Sequence, residues 1–291
     1  MAVWNLGSIN IDNVYRVPHL PAPGETLGAT EFSQGLGGKG ANMSVAVARA
    51  GARIAHIGAI GRDGKWTAER LMEYGVDTRR IAELPDHATG HANIAVADDG
   101  ENQIVLYSGS NTAISEQMIG VALAEASPGD TFLIQNETNG QRVGAEMAKQ
   151  LGLKVVYAAA PFEAEAVRDI LPFIDLLVLN QVEAGQLEEA LGSPVHALGI
   201  ADVVVTLGAD GCLWLGPSGN EVHVPALAVT PVDTTGAGDT FTGFLVAGLD
   251  RGMPMRQALD LATQAGALMV TRLGTADVIP DLKEIEDARF G

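Results

Sequence analysis

The sequence predicts an α/β fold in which helices cover both faces of a mostly parallel sheet, and three observations predict it. From Thr131 onward, short apolar runs alternate with helix-length segments: a strand over 131–135, a helix near 142–150, a strand over 154–158, a helix near 164–171, a strand over 176–179, a helix from about 183–190 and a strand over 202–207. Strands joined by helical crossovers pair in parallel, and the crossovers then bury both faces of the sheet. Glycine is plentiful (35 residues) while aromatic residues make up only 5%, a composition suited to close packing of helices on a sheet. The 291 residues, 47% of them hydrophobic, suffice for one large core, and no repeat, low-complexity segment or linker divides them.

Charge and cysteine usage exclude other classes. At a formal net charge of −18, no basic stretch is available to meet nucleic-acid phosphates. The single cysteine, Cys212, rules out an intramolecular disulfide and fits a reducing cytoplasm. The chain does not open on a charged-then-apolar segment, and none of its apolar runs reaches bilayer length, so a soluble cytoplasmic protein without a membrane partner is expected.

Taken in order, residues 2–6 read as a short buried strand leading into Gly7-Ser-Ile-Asn-Ile-Asp12. Asn10 and Asp12 fall just past the C-terminal end of that strand, where open α/β sheets bind ligands; a solvated loop is the competing reading. Residues 14–23 alternate poorly and carry three prolines, so they stand outside the main sheet. Gly35-Leu-Gly-Gly-Lys-Gly-Ala-Asn42 satisfies G-x-G-x-x-G through Gly35, Gly37 and Gly40. The dinucleotide fingerprint, however, needs an apolar strand before it and an acid closing the next strand. Residues 30–34 are no such strand, and 54–60 ends without a carboxylate. It is not a Walker A loop either, because Gly40 follows Gly38-Lys39 where Ser or Thr is required. What remains is a glycine turn opening a helix over 41–50, with backbone that a ligand can approach and an amide side chain at Asn42.

A strand over 53–58 and a helix over 65–74 follow, and then two alternating runs, 90–97 and 103–107, flank Asp98-Asp-Gly100 as a hairpin. His87 and His91 are four apart, but Thr89-Gly90 breaks the helix that metal spacing would need, so no zinc site is expected. Polar residues cluster at the ends of the later strands: Glu137, Asn180 with Glu183, and Thr206-Leu-Gly-Ala-Asp-Gly211. An acid such as Glu183 on the first turn of a helix is ordinary capping, and only its pairing with Asn180 speaks for a ligand. Residues 212–215 and 222–224 read as a closing hairpin, with Cys212 as inert core.

In Val232-Asp-Thr-Thr-Gly-Ala-Gly-Asp-Thr-Phe241, small residues run directly into an apolar helix over 241–249. Amides of Gly236, Ala237, Gly238 and Asp239 then point out of the helix N-terminus and form an anion site. A carboxylate there competes with an anion, unless Asp239 is a base that takes a hydroxyl proton while the amides hold charge developing on a phosphoryl group. A plain helix cap is the competing reading. Residues 255–271 form a long core helix and Arg272-Leu-Gly274 a tight turn after it.

Gly37-Gly-Lys-Gly-Ala-Asn42 together with Asp233-Thr-Thr-Gly-Ala-Gly-Asp-Thr-Phe241 resembles the two signatures of the PfkB family of carbohydrate and nucleoside kinases, and within it the chain most resembles the ribokinase branch. Gly7-Ser-Ile-Asn-Ile-Asp12, Pro23-Gly-Glu-Thr26, Glu137, Asn180-x-x-Glu183 and Thr206-Leu-Gly208 fall in the family's order, so the resemblance runs from about Val3 to Pro280. It implies a ribokinase-like three-layer αβα fold over 1–291, with a small β lid formed by about 11–32 and 90–107 that often serves as a dimer clasp; a homodimer through the lid is therefore expected. It also implies an ATP-dependent sugar kinase. Asn10, Asp12, the backbone at Gly38 and Lys39, Asn42 and Glu137 would hold sugar hydroxyls. Asp239 would deprotonate the primary hydroxyl, and Gly236, Ala237 and Gly238 would form the anion hole. Asn180 and Glu183 would act near the phosphates and Mg²⁺ through water. Thr206, Gly208 and Gly211 would line the nucleotide site, with Thr263 near the adenine. Asp233 and carbonyls near Thr235, Met269, Arg272 and Gly274 would hold an activating K⁺. Three positions depart from the pattern: Val278 replaces a serine that often completes the cation shell, Thr263 a larger adenine contact, and Met43 a frequent glutamine beside the sugar loop.

An NAD-dependent oxidoreductase would explain the glycine fingerprint but leaves Asp239 and Glu137 idle. A non-catalytic sugar-binding regulator would be marked by loss of Asp239 or of a glycine, and both are intact. The segments expected to face the substrate offer carboxylates and amides and, apart from Lys39, no basic side chain, which favours an unphosphorylated sugar over a sugar phosphate. Few aromatics occur there to stack on a nucleoside base. The pair Asn10 and Asp12 suits a vicinal diol, so conversion of D-ribose to ribose 5-phosphate is expected, with fructose, 2-keto-3-deoxygluconate or adenosine as rival acceptors.

Overall fold

A computed structural model describes residues 1–288 of the chain. The first strand, β1 (Val3–Leu6), is followed by β2 (Asn10–Val17), β3 (Glu31–Gly37), α1 (Lys39–Arg49), β4 (Ile54–Ile60), α2 (Lys65–Glu73), β5 (Asp77–Glu83), β6 (Gly90–Ala97) and β7 (Asn102–Tyr107). Helices and strands then alternate: α3 (Glu116–Leu123), β8 (Thr131–Ile134), α4 (Gln141–Gln150), β9 (Lys154–Ala158), α5 (Ala164–Ile170), β10 (Leu176–Asn180), α6 (Gln181–Leu191) and β11 (Asp202–Thr206). The hairpin β12 (Cys212–Leu215) and β13 (Glu221–Val224) closes the sheet, and α7 (Ala237–Asp250), α8 (Met255–Met269) and α9 (Leu282–Asp287) end the chain.

Nine strands form the main sheet in the order β13-β12-β11-β10-β9-β8-β1-β4-β5, parallel except for the terminal hairpin. Alternation within a strand sends successive side chains to opposite faces. In β4, Ile54 and Ile60 enter the core under α1, α7 and α8, whereas Ala55, Ile57 and Ala59 enter the core under the other helix layer. This is the three-layer αβα architecture that the resemblance implies. Small residues set how closely the helices approach: a Cβ on Gly243 of α7 would overlap the Cβ of Ala46 on α1 and lie 2.9 Å from the Met43 carbonyl oxygen. That crossing brings the start of α1 against the start of α7.

A second sheet of four strands, in the order β3-β2-β6-β7, stands beside the main one. It leaves Tyr15, Phe32, Val105 and Tyr107 exposed on one face, and Ile104 and Leu106 exposed on the face that carries Asn10 and Asp12. The expected hairpin over 90–107 is half of this sheet, and the rest departs from expectation. Asn10 and Asp12 lie within β2 rather than in a loop past β1, and Gly35 and Gly37 lie in β3, paired with Asp12 and Asn10, rather than in a turn. Only Gly38, with φ 94°, makes the turn into α1, which starts at Lys39 rather than Ala41. With β3 in the second sheet, the glycine run has no main-sheet strand before it, which removes the structural context of a dinucleotide fingerprint. Strand β5 and helix α3 had no counterpart in the sequence reading.

Candidate active site

The site is assembled where α7 begins. Gly236 takes the left-handed conformation (φ 73°) and turns the chain so that α7 starts at Ala237. Asp239, in the first turn of that helix, is buried to 7% exposure. Its Oδ2 accepts a 2.8 Å hydrogen bond from Nδ2 of Asn42 in α1, a consequence of the Gly243 crossing. Burial pushes the Asp239 carboxyl above the ordinary carboxylate range; the Lys39 ammonium and the Asn42 bond pull it back, and Glu137 adds to the rise. The Lys39 ammonium is in turn held above its usual range, first by Asp239 against the opposing effect of burial, then by Glu137 and Glu183. Burial that raises the proton affinity of a carboxylate suits it to accept a proton from a hydroxyl.

Two cavities meet at this helix start. One of about 410 Å³ is lined by Thr206, Gly208, Gly211, Thr263, Phe241 and Gly238, among mostly small apolar neighbours. The other, of about 230 Å³, is lined by Lys39, Met43, Asn180, Glu183, Gly236 and Asp239. Thr206, Thr234 and Gly238 border both. A side chain on Gly238 would meet nothing within 4 Å, so its backbone is bare towards the cavities. Of the two glycines Gly236 alone has a positive φ, so a side chain would be strained there and not at Gly238. Thr263 borders the larger cavity with its hydroxyl 3.9 Å from Sγ of the fully buried Cys212, whose thiol burial pushes up to about 11.

Asn180 and Glu183 cap α6 reciprocally: Glu183 N donates to Asn180 Oδ1 at 2.9 Å, and Asn180 N donates to Glu183 Oε2 at 2.8 Å. This capping box employs one oxygen of each, so their pairing has a structural cause as well as a place in the cavity wall. Burial raises the Glu183 carboxyl, against the Asn180 amide and Lys39.

Of the residues expected to hold the sugar, Lys39 and Asp239 line the smaller cavity. Glu137 Oε2 accepts from Ser8 Oγ at 2.5 Å and from Lys39 N at 2.9 Å, tying the loop after β1 to the start of α1. Burial, aided by Glu137, pushes the Asp12 carboxyl up to about 6. Asn10 and Asp12 are two apart on β2 and share one face of the strand. Neither borders the two cavities; both belong to the second sheet. A fully buried polar chain, which sequence reasoning missed, joins Asn5, Ser44 and His56. His56 Nε2 meets the Gly7 carbonyl at 3.0 Å, which fixes the proton on Nε2, so Nδ1 accepts from Ser44 Oγ at 2.8 Å. Ser44 and the Gly40 carbonyl both accept from Asn5 Nδ2. Burial lowers His56 to about 4, against its bond to Gly7.

The residues expected to hold K⁺ lie together behind the turn. Asp233 Oδ1 accepts from Thr235 N at 2.9 Å and Oδ2 from Gly274 N at 3.3 Å. Burial would raise this carboxyl, but the bonds from Thr235 and Gly274 hold it below the usual range. The Met269 carbonyl accepts from Arg272 N at 3.0 Å, and the Arg272 guanidinium is turned to the Val278 carbonyl and Glu284, leaving only its backbone for a cation. Among the described residues no three His, Cys, Asp or Glu side chains converge as a metal cluster. None of the described helices is long and apolar enough to cross a membrane.

Comparison with known proteins agrees with this geometry. A family model described as pfkB family carbohydrate kinase matches residues 3–282. A ribokinase of Haemophilus influenzae is 37% identical over 294 residues, covering 96% of this chain and 95% of the relative. The structure of a ribokinase from Cryptococcus neoformans var. grubii serotype A, in complex with ADP, superposes with a TM-score of 0.87 at 32% identity and 98% coverage of both chains. A ribokinase of Arabidopsis thaliana complexed with ribose and ATP gives a TM-score of 0.85 at 27% identity, over 98% of each chain.

Proposed function

The chain belongs to the pfkB family of carbohydrate kinases, and from that premise we propose that it transfers the γ-phosphate of ATP to the primary hydroxyl of D-ribose, giving D-ribose 5-phosphate. The observation that carries the reading is the Asp239 carboxylate, held by Asn42 at the amide end of α7 on the wall of one cavity and next to Gly238, which lines the second as well. The larger cavity, small-residue walled, suits the nucleotide; the smaller suits the sugar's reactive end.

Phosphoryl transfer needs in-line positioning, neutralisation of the equatorial oxygens and a base for the incoming hydroxyl. Asp239 takes the hydroxyl proton as the oxygen attacks phosphorus, and ADP leaves towards the larger cavity. Amides of Gly236 and Gly238 face the charge that develops, in register with the helix dipole, and that of Ala237 would join them by giving up its 3.3 Å bond to the Thr234 carbonyl. Lys39, ringed by carboxylates, adds a fixed positive charge on the same side. Glu183, with one oxygen outside its cap, and Asn180 fit an Mg²⁺ carried by the nucleotide phosphates and contacted through water; that ion supplies further neutralisation of the transferring group. The Asp233–Thr235–Gly274 loop fits a K⁺ that orders the turn into Gly236. Its full donor set is reduced by the engaged Met269 carbonyl and by the apolar Val278.

Asn10, Asp12, Asn42 and Glu137 would hold the sugar, with the four-stranded sheet as a lid that excludes water. Its exposed apolar residues support a homodimer through that lid, and the buried lone thiol supports a cytoplasmic setting. A coupled assay of ribose, fructose, 2-keto-3-deoxygluconate and adenosine with ATP, with and without K⁺, tests the reading. Ribose should give the highest kcat/KM. A better rival sugar moves the substrate and leaves the kinase; no turnover with any acceptor would favour a sugar-binding regulator.

A further inference from the structure

Asn111 lies where the chain re-enters the main fold after β7, and it is 1% exposed. Its side chain grips the opposite crossing, where the chain leaves β1 for β2. Oδ1 accepts from Ile9 N at 2.9 Å, while Nδ2 donates to the Ile9 carbonyl at 3.2 Å and to Asn10 Oδ1 at 2.8 Å. The polarity of this clamp is not a matter of choice. A backbone N–H can only donate and a carbonyl can only accept, so Ile9 decides which end of the Asn111 amide is nitrogen. The two hydrogens on that nitrogen are then both used, and the atom that Asn10 presents to it must be an oxygen. Asn10 is left with its NH₂ as the end that no described residue engages.

The surroundings are shaped for this bond. Gly90 of β6 stands opposite Asn10 in the β2–β6 register. A Cβ there would overlap Asn111 Nδ2 and lie 2.5 Å from Asn10 Oδ1. Gly90 is outside the left-handed region, so what it provides is space for the clamp rather than a special turn. Two residues along the same strand face, Asp12 offers a carboxylate, so donor and acceptor stand side by side.

We propose that Asn111 is a specificity-determining positioning residue: by locking the Asn10 amide with its NH₂ outward, it makes the site require an oxygen acceptor at that point of the sugar. The proposal rests on the sugar-kinase reading. An analogue lacking the hydroxyl leaves a fixed donor unpaired in a closed site, which binding sites penalise strongly, whereas an amide free to turn over is more tolerant.

The test compares kcat/KM for ribose with that for 2-deoxyribose and 3-deoxyribose, each lacking one hydroxyl of the vicinal pair, in wild type, Asn111→Asp and Gly90→Ala. Asn111→Asp keeps the size and the acceptor for Ile9 N but sets oxygen against oxygen, so Asn10 turns its amide round. Gly90→Ala keeps every polar group and crowds the clamp, and it carries the test if Asn111→Asp does not fold. The preference for ribose over at least one analogue should fall about tenfold or more in both variants, through the sugar KM, with the KM for ATP within about twofold. An equal loss for all three sugars, tracking a lower melting temperature, would show Asn111 to be merely structural and overturn the proposal. If the wild type phosphorylates none of these sugars, the substrate reading has failed instead. The same ratio is then taken for the acceptor that is turned over and its analogues lacking one hydroxyl, and an unchanged ratio overturns the clamp.

Discussion

Asn42 and Asp239 lie 197 residues apart and are joined by a 2.8 Å hydrogen bond between the amide nitrogen of one and the carboxylate of the other. The bond spans the two glycine-rich segments and fixes the direction in which the base presents its remaining oxygen. Asp239→Asn keeps the helix start and the volume while removing proton acceptance. Turnover should fall by roughly 10²–10⁴, while sugar affinity measured by calorimetry changes far less. Near-normal turnover would exclude Asp239 as the base.

Gly236 and Gly238 should separate stability from chemistry. Gly236 has φ 73° and Gly238 does not. Gly236→Val should lower the melting temperature, in line with about 1–2 kcal/mol for a side chain forced into the left-handed region. Gly238→Val meets open space in the folded chain and should melt like the wild type, yet it fills the gap between the cavities, so activity should be lost. Equal melting of the two variants, or an active Gly238→Val, would contradict this assignment.

Potassium should raise activity over sodium, because Asp233 and the Gly274 turn lead directly into Gly236. Asp233→Ala should erase the difference between the two salts. Introducing a hydroxyl with Val278→Ser should increase it. Initial rates across a K⁺ titration decide the matter, and a wild type indifferent to K⁺ sinks it.

Asp12, with its carboxyl at about 6 in the folded chain against 3.8 for the free side chain, makes two quantities pH-dependent in opposite senses. The folded state takes up this proton more readily than the unfolded chain. The contribution of Asp12 to stability therefore improves as pH falls through 6 towards 4, and its ionised form is a liability above 6. Asp12→Asn should accordingly melt higher than wild type at pH 7.5, with the gap closing by about pH 4. Sugar recognition needs the ionised acceptor, so the wild-type KM for sugar should rise below pH 6. A flat KM profile, or a variant that melts lower at pH 7.5, would argue against it.

Much of the main sheet was legible because strands buried on both faces read as continuous apolar runs, as in Ile54–Ile60 and the strands after Thr131. The turn at Gly236 was legible because glycine and alanine ahead of an apolar helix leave few other conformations. Strand β3 was not, since Glu31–Gly37 is largely exposed, contains two glycines and takes its conformation from pairing with β2. Polar β5 and Gly120-containing α3 were hidden for similar reasons: neighbours, not local preference, fix them. Asn111 was invisible because Gly-Ser-Asn-Thr reads as a solvated turn, and its partners at Ile9 and Asn10 lie about a hundred residues away. The Asn180–Glu183 spacing was visible but ambiguous, and the structure resolves it as a helix cap set into a cavity wall.

The place of β1 in the sheet bears on how the chain is made. It is the first strand in the chain, yet it sits between β8 and β4, and Val3 pairs with Thr131. A ribosome adding about 5–20 residues per second delivers β8 on the order of ten seconds after β1. Through that interval Val3–Leu6 carries an open, apolar hydrogen-bonding edge, the kind of surface on which nascent chains stick to one another. Parallel partners so far apart in sequence also make for slow closure. Overexpression at reduced temperature or alongside a holdase chaperone should therefore raise the soluble yield more than any change made at the catalytic turn.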